Sequence, residues 1–117
     1  MSVSLEFLIK ILQLELKEVE NDLNGLKDLY SNRHDSSEIT NYVFLENTAL
    51  LQSELDSIHQ IGTILTDFKI EGSPTEHELL DIIDKHIKEE VHEKQYSEAI
   101  YNFAKSKLAK VSKYLDM

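Results

Sequence analysis

The chain has no cysteine, no tryptophan, one proline and three glycines among its 117 residues. The lack of cysteine excludes a disulfide framework, a thiolate metal centre and a cysteine nucleophile. So few glycines and prolines leave little to interrupt helices, and Leu, Glu, Lys and Ile abound. That balance reads as a nearly all-helical chain. No apolar run approaches a membrane span, and the N-terminus lacks the basic start and cleavage site of a signal peptide. The expectation is a soluble, cytoplasmic protein forming one domain over residues 1–117. A glycine-rich phosphate loop and a Gly-x-Ser-x-Gly elbow are also missing. Neither enzyme chemistry nor a cofactor is expected.

Basic charge is short as well: 12 Lys and Arg stand against 22 Asp and Glu, for a net −10. Nucleic acid and anionic membrane surfaces need a basic face, so neither is an expected partner. The imbalance is uneven. From Glu38 to Glu71 there are six acids and one base, and from Glu76 to Glu98 eight acids face Lys85, Lys88 and Lys94. The C-terminal stretch reverses sign with Lys105, Lys107, Lys110 and Lys113. A basic last helix lying across acidic neighbours follows from that distribution.

Apolar periodicity is strong. Leu5, Leu12, Val19 and Leu26 recur every seven residues, with Ile9, Leu16, Leu23 and Tyr30 four residues on. This predicts a first helix over about 2–31. Phe7, Leu8, Ile11 and Leu14 widen the stripe, so its N-terminal half calls for cover on more than one side. Asp35 and Glu38 have capping-box spacing and predict a second helix over about 36–69. Its stripe is Phe44, Leu51, Ile58 and Leu65, joined by Leu55, Ile61 and Phe68. A third helix is predicted after Gly72, with Ser73 as N-cap, Pro74 in the first helical position and Glu76 in the third. Its inward residues are Leu79, Leu80, Ile82, Ile83, Ile87 and Val91. The last stripe, Ile100, Ala104, Leu108, Val111 and Leu115, is out of phase with that one. The third long helix is therefore predicted to kink or break near residues 92–97, with Ser97 as a cap. The fold expected is an all-α antiparallel bundle of three or four helices. A short third and fourth helix would cover only part of the long hairpin, and exposed apolar surface seeks a partner.

The leading functional expectation is thus a protein-binding module that pairs with other proteins or with itself as a two-fold dimer. The interaction surface is expected around Phe7, Ile11, Leu14, Tyr42, Phe44 and Leu45. Two chemical alternatives carry named residues. In the stretch DSIHQIGTILTDF, His59-Gln60-Ile61-Gly62-Thr63 resembles the local pattern of histidine-phosphotransfer domains, His-x-Leu-Lys-Gly. Those are acidic helical bundles of about this length with a reactive histidine in mid-helix. The resemblance covers five residues; the lysine is absent and the glycine falls one position early. It implies that His59 accepts a phosphoryl group, and that Gly62 leaves the imidazole open. A purely structural role competes: Gly62 lies in the apolar stripe, where a missing side chain lets a helix approach closely. The second alternative is a metal-binding bundle. Glu89-x-x-His92 has the spacing of a di-iron helix, Asp56-x-x-His59 is a second copy with aspartate, and Glu54 and Glu15 are the further acids.

Overall fold

The computed structural model describes residues 5–69, 72 and 74–115, with the side chains of Leu5 and Leu115 left aside. Four helices and no strand occur among them: α1 Leu5–Asp35, α2 Asn41–Thr66, α3 Glu76–Glu93 and α4 Glu98–Leu115. They run up, down, up and down as an all-α bundle. None of them is long and apolar enough to cross a membrane.

The α1–α2 hairpin is an antiparallel coiled coil in all but supercoil length. Ile9, Leu12, Leu16, Val19 and Leu23 alternate steps of three and four residues and are all buried. Leu51, Leu55, Ile58, Ile61 and Leu65 meet them from α2. This spacing keeps one seam toward the partner helix. α4 then lies along α1, and α3 along α4. Leu79, Leu80, Ile83, Ile87 and Val91 of α3 and Ile100, Ala104, Leu108 and Val111 of α4 complete a single core. Of the predicted inward residues of α3, Ile82 alone turns outward. Phe7 and Leu14 are likewise exposed, because α4 covers one flank of α1 and not its far side.

The basic helix does lie across acids. Lys107 Nζ and Lys110 Nζ reach Glu15 Oε2 at 3.5 and 3.1 Å and Glu18 Oε2 at 3.5 and 3.7 Å. Burial alone would raise the Glu15 pKa, but the Lys110 hydrogen bond and charge, with Lys107, outweigh it and hold Glu15 below its ordinary value. The Glu15 hydrogen bond in turn raises Lys110. Tyr101 Oη donates to Asp84 Oδ1 at 2.7 Å and ties α4 to α3.

Helix ends differ from expectation in an informative way. α1 runs four residues past Ser31, and Asp35 is its last residue rather than the cap of α2. The chain leaves α1 through a left-handed residue, Ser37 at φ 60°. Glu38 N–H donates to Arg33 O at 2.8 Å and Ser37 N–H to His34 O at 3.0 Å, so the last carbonyls are satisfied. Thr40 is the true cap of α2, its hydroxyl accepting from Val43 N–H at 3.2 Å. α2 ends at Thr66, three residues before the predicted Lys69. For α3 the cap is Thr75, which accepts from Glu78 N–H, and Pro74 precedes the helix. The predicted cap Ser73 falls outside the described residues. The predicted break is present: α3 stops at Glu93, Gln95 takes φ 56°, and α4 starts directly after Ser97.

Length mismatch dominates the shape. α1 has 31 residues and α2 has 26, whereas α3 and α4 have 18 each. The short pair covers the base of the hairpin, and its α3–α4 turn lines a groove with α2 residues between Ala49 and Gln60. The rest of the hairpin projects beyond it by about 20 Å, at 1.5 Å per helical residue.

Candidate functional sites

Two flanks of the α1–α2 hairpin carry different chemistry, and both follow from the seven-residue repeat. The flank turned away from α4 is polar. Gln13, Glu20, Lys27 and His34 recur every seven residues on α1. Gln13 Nε2 donates to Thr66 Oγ1 at 3.0 Å and to Gly62 O at 2.9 Å. Glu20 Oε1 meets His59 Nδ1 at 3.1 Å, and Lys27 Nζ donates to Gln52 Oε1 at 2.6 Å. His34 bonds Asn41 and stacks on Phe44 with ring centroids 4.3 Å apart. The facing numbers 13 and 66, 20 and 59, and 27 and 52 all add to 79, which fixes the hairpin register. His59 is one rung of this ladder.

That rung is also open. The His59 side chain is 67% exposed. A methyl group placed on Gly62 would meet no atom within 4 Å, so no helix approaches there and the close-packing role for Gly62 does not hold. A shallow depression of about 210 Å³ lies at this point, bounded by Gln13, Lys17, Glu20, His59 and Gly62. Lys17 Nζ stands 3.5 Å from Glu20 Oε2 and supplies from α1 a cation that α2 lacks.

The flank turned toward α4 is mixed, with acids that meet the α4 lysines on α1 and mostly apolar residues on α2. Leu8, Glu15, Asp22 and Leu29 share one line on α1, and Val43, Leu50, Ser57 and Ile64 share one on α2. At the base α3 and α4 cover these lines: Leu8 and Ser57 are buried, and Ile64 packs on the core. Toward the tip they open to solvent, with Leu50 lining a groove beside the α3–α4 turn. Leu29 is 42% exposed, Leu50 55%, Leu26 44% and Val43 36%. Leu29 and Leu50 stand level, since their numbers also add to 79. Where the cover stops, Glu54, Ser57, Lys94, Tyr96 and Ile100 line a groove of about 670 Å³.

The six residues expected to form the interaction surface do not share a face. Phe7, Ile11 and Leu14 lie near the base; Tyr42, Phe44 and Leu45 lie at the projecting tip. Ile11 packs against the core and Phe44 is half-buried under His34. Tyr42 points outward, and Leu45 continues the polar ladder, seven residues before Gln52. The sequence reading did not single out Leu26, Leu29, Val43 and Leu50 as a set; of these only Leu26 and Leu50 stand seven residues from a buried position, Val19 and Ser57.

The metal candidates are not assembled. No group of three or more His, Asp or Glu side chains placed to share an ion occurs among the described residues. Asp56 Oδ1 accepts from Gln52, His59 bonds Glu20, and Glu15 is held by the two lysines. Glu89 and His92 are exposed on α3. A further cavity of about 730 Å³ between α3 and α4 is lined by Lys88, His92, Tyr96, Tyr101 and Lys105 with Glu98. Comparison of the chain with protein families, with curated proteins and with solved structures gives no match.

Proposed function

We infer that this protein works by binding other proteins through the uncovered apolar face of the projecting hairpin. One observation carries the reading: Leu26, Leu29, Val43 and Leu50 expose large apolar side chains on the tip-ward half of the α1–α2 hairpin. A seam of this type stabilises a complex by removing apolar area from water, at about 25 cal/mol per Å² before association costs. The acidic surroundings keep the rest of the surface soluble and unfavourable to acidic partners. Affinity capture with the wild-type chain and with Leu29→Glu/Leu50→Glu tests it. A bound protein retained by wild type is lost with the double variant and kept with Leu14→Glu, a charge placed on the far side of α1. Equal retention by all three chains refutes the reading.

A second reading is favoured by the openness of His59. With Nδ1 held by Glu20, Nε2 is the nitrogen available to an incoming group, and the carboxylate fixes the tautomer that presents its lone pair. In phosphoryl transfer from acetyl phosphate, Nε2 attacks phosphorus, the bond from phosphorus to the bridging oxygen breaks, and acetate leaves. The imidazolium charge formed is balanced by Glu20, and Lys17 lies within the same depression for the phosphoryl oxygens. An acid-labile label that disappears in His59→Gln is the expected result. No label with an active donor present ends this reading.

A further inference from the structure

We propose that the cavity between α3 and α4 is a binding site for a small ring-bearing phosphate of the nucleoside monophosphate class. At about 730 Å³ the cavity has the size of a small-molecule site. It lies against the α3–α4 turn, and none of Leu26, Leu29, Val43 and Leu50 lines it. The inference is therefore independent of the protein-binding reading above.

The charge of this cavity is the reverse of the chain's. α3 holds seven acids, yet none of them lines it; α3 contributes Lys88, Val91 and His92 instead. α4 adds Lys105, and Glu98 is the one carboxylate of the lining. On the same helix Lys107 and Lys110 are engaged by Glu15 and Glu18. Lys88 and Lys105 have no ion-pair partner among the described residues. Lys88 Nζ instead stands 5.9 Å from the centre of the Tyr101 ring. Two uncommitted ammonium groups and an imidazole around one concavity select an anion, and a phosphate accepts charge-assisted hydrogen bonds from all three. The acids elsewhere on the chain oppose this weakly, since salt screens exposed charges beyond about 8 Å.

The remaining lining suits a planar ring. Tyr96 and Tyr101 pack on the core, and Val91 is buried. The hydroxyl of Tyr101 is committed to Asp84 at 2.7 Å, which fixes that ring in place. A nucleobase stacks on such aromatic faces. Gln95 and Asn102 also line the cavity, and their amides both donate and accept, as the edge of adenine requires. Glu98 begins α4 beside the turn, and Lys105 follows it by seven residues, about two helical turns. The carboxylate repels a phosphate from the turn end, so the ring lies toward the turn and the phosphate toward the lysines. Inorganic phosphate would use only the cations, and an uncharged nucleoside only the rings and amides.

The test is an amide NMR titration of the full chain with adenosine monophosphate, with adenosine and inorganic phosphate as separate arms. Adenosine monophosphate shifts amides between Lys88 and Lys105 and saturates with a Kd below about 1 mM. Adenosine and phosphate each bind at least about tenfold more weakly, because each lacks one half of the contacts. Lys88→Glu/Lys105→Glu abolishes saturation. Lys10→Glu/Lys113→Glu makes the same change in net charge away from the cavity and retains it. All four lysines are exposed, so both variants keep the fold, which far-UV circular dichroism checks. The proposal is overturned by the absence of a saturable shift, by shifts clustered elsewhere, or by equal binding to the two double variants. Phosphate or adenosine alone binding as tightly as adenosine monophosphate also overturns it.

Discussion

Replacing Gln95 with glycine should stabilise the protein, although glycine ordinarily weakens a helical chain. The reason is the left-handed turn that separates α3 from α4. Gln95 has φ 56°, Tyr96 N–H donates to Val91 O at 3.0 Å, and Gln95 N–H donates to His92 O at 3.3 Å. Val91 is buried and Tyr96 packs on the core, so the apolar contact usual for this stop is in place. A left-handed conformation costs an L-residue about 1–2 kcal/mol. Glycine avoids that cost but loses about 0.5–1 kcal/mol through its freer unfolded chain. The net gain is about 0.5–1 kcal/mol on the difference of those two effects. The unfolding entropy at the midpoint is about 0.25 kcal/mol/K for a chain of this length, so Tm rises by about 2–4 °C. Thermal melts followed by circular dichroism measure it. Gln60→Gly, at an exposed position inside α2, is the control and should lose about 1 kcal/mol. If Gln95→Gly lowers Tm as Gln60→Gly does, α3 and α4 form one helix and the turn does not exist.

Gly62→Ala should raise stability by about 0.5–1 kcal/mol on helix propensity alone, matching Gly25→Ala, since neither added methyl meets an atom within 4 Å. Chemical denaturation measures both, and a large loss at Gly62 alone would restore a close-packing role. Ile83 is fully buried, and Ile83→Ala should cost about 2–5 kcal/mol by denaturation. Tyr101 is pushed up to about 12 by its hydrogen bond to Asp84, by burial and by the Asp84 charge, so an ultraviolet titration of wild type minus Tyr101→Phe should show a phenol ionising there. The folded-state value is raised, so this contribution is complete below the ordinary pKa of 10.0 and fades as pH climbs to about 12. Glu15 is depressed below 4.5, so its contribution is present above that value and is lost as pH falls through the lower one. Glu15→Gln should lower stability at neutral pH by up to about 1 kcal/mol and converge with wild type in acid.

The helical class and the buried stripes were legible because apolar spacing reports directly on which side of a helix meets another. Leu12, Leu16, Ile58, Ile61 and Ile87 are core residues for that reason. The phase conflict between Val91 and Ile100 likewise located the break, although no glycine marks it. Helix ends were less legible. Asp35 and Glu38 have the spacing of a capping box, but the same residues serve the end of α1 and the turn after it. Threonine at 40 and 75, closer to each helix, supplies the hydroxyl instead. Left-handed Ser37 and Gln95 left no mark because neither is a glycine; backbone hydrogen bonds close both helix ends, and at Gln95 the Val91 and Tyr96 side chains pack on the core as well.

The proposed binding surface was harder to read for a separate physical reason. Apolarity alone selected Phe7, Leu14, Tyr42 and Leu45, which point in different directions from two ends of the hairpin. What selects Leu26, Leu29, Val43 and Leu50 is the difference in length between two hairpins packed face to face. A helix of 18 residues spans about 27 Å and one of 31 spans about 46 Å, so one pair must run out while the other continues. The same argument gives the His59 flank its character. Because α4 covers the opposite side of α1, the ladder from Gln13 to His34 has only α2 to bond and remains open to solvent along its length. A histidine there is exposed whether or not it reacts. Its exposure therefore counts for less than the specific neighbours it has, Glu20 on Nδ1 and Lys17 across the gap. Those two residues, rather than Gly62, are where phosphoryl acceptance and plain helix pairing part ways. Lys17→Ala should leave stability unchanged within about 0.5 kcal/mol, as expected for an exposed pair. A labelling rate that falls with it would give Lys17 a part in the chemistry, an unchanged rate would deny it one, and the absence of any label would leave His59 as a rung in a ladder.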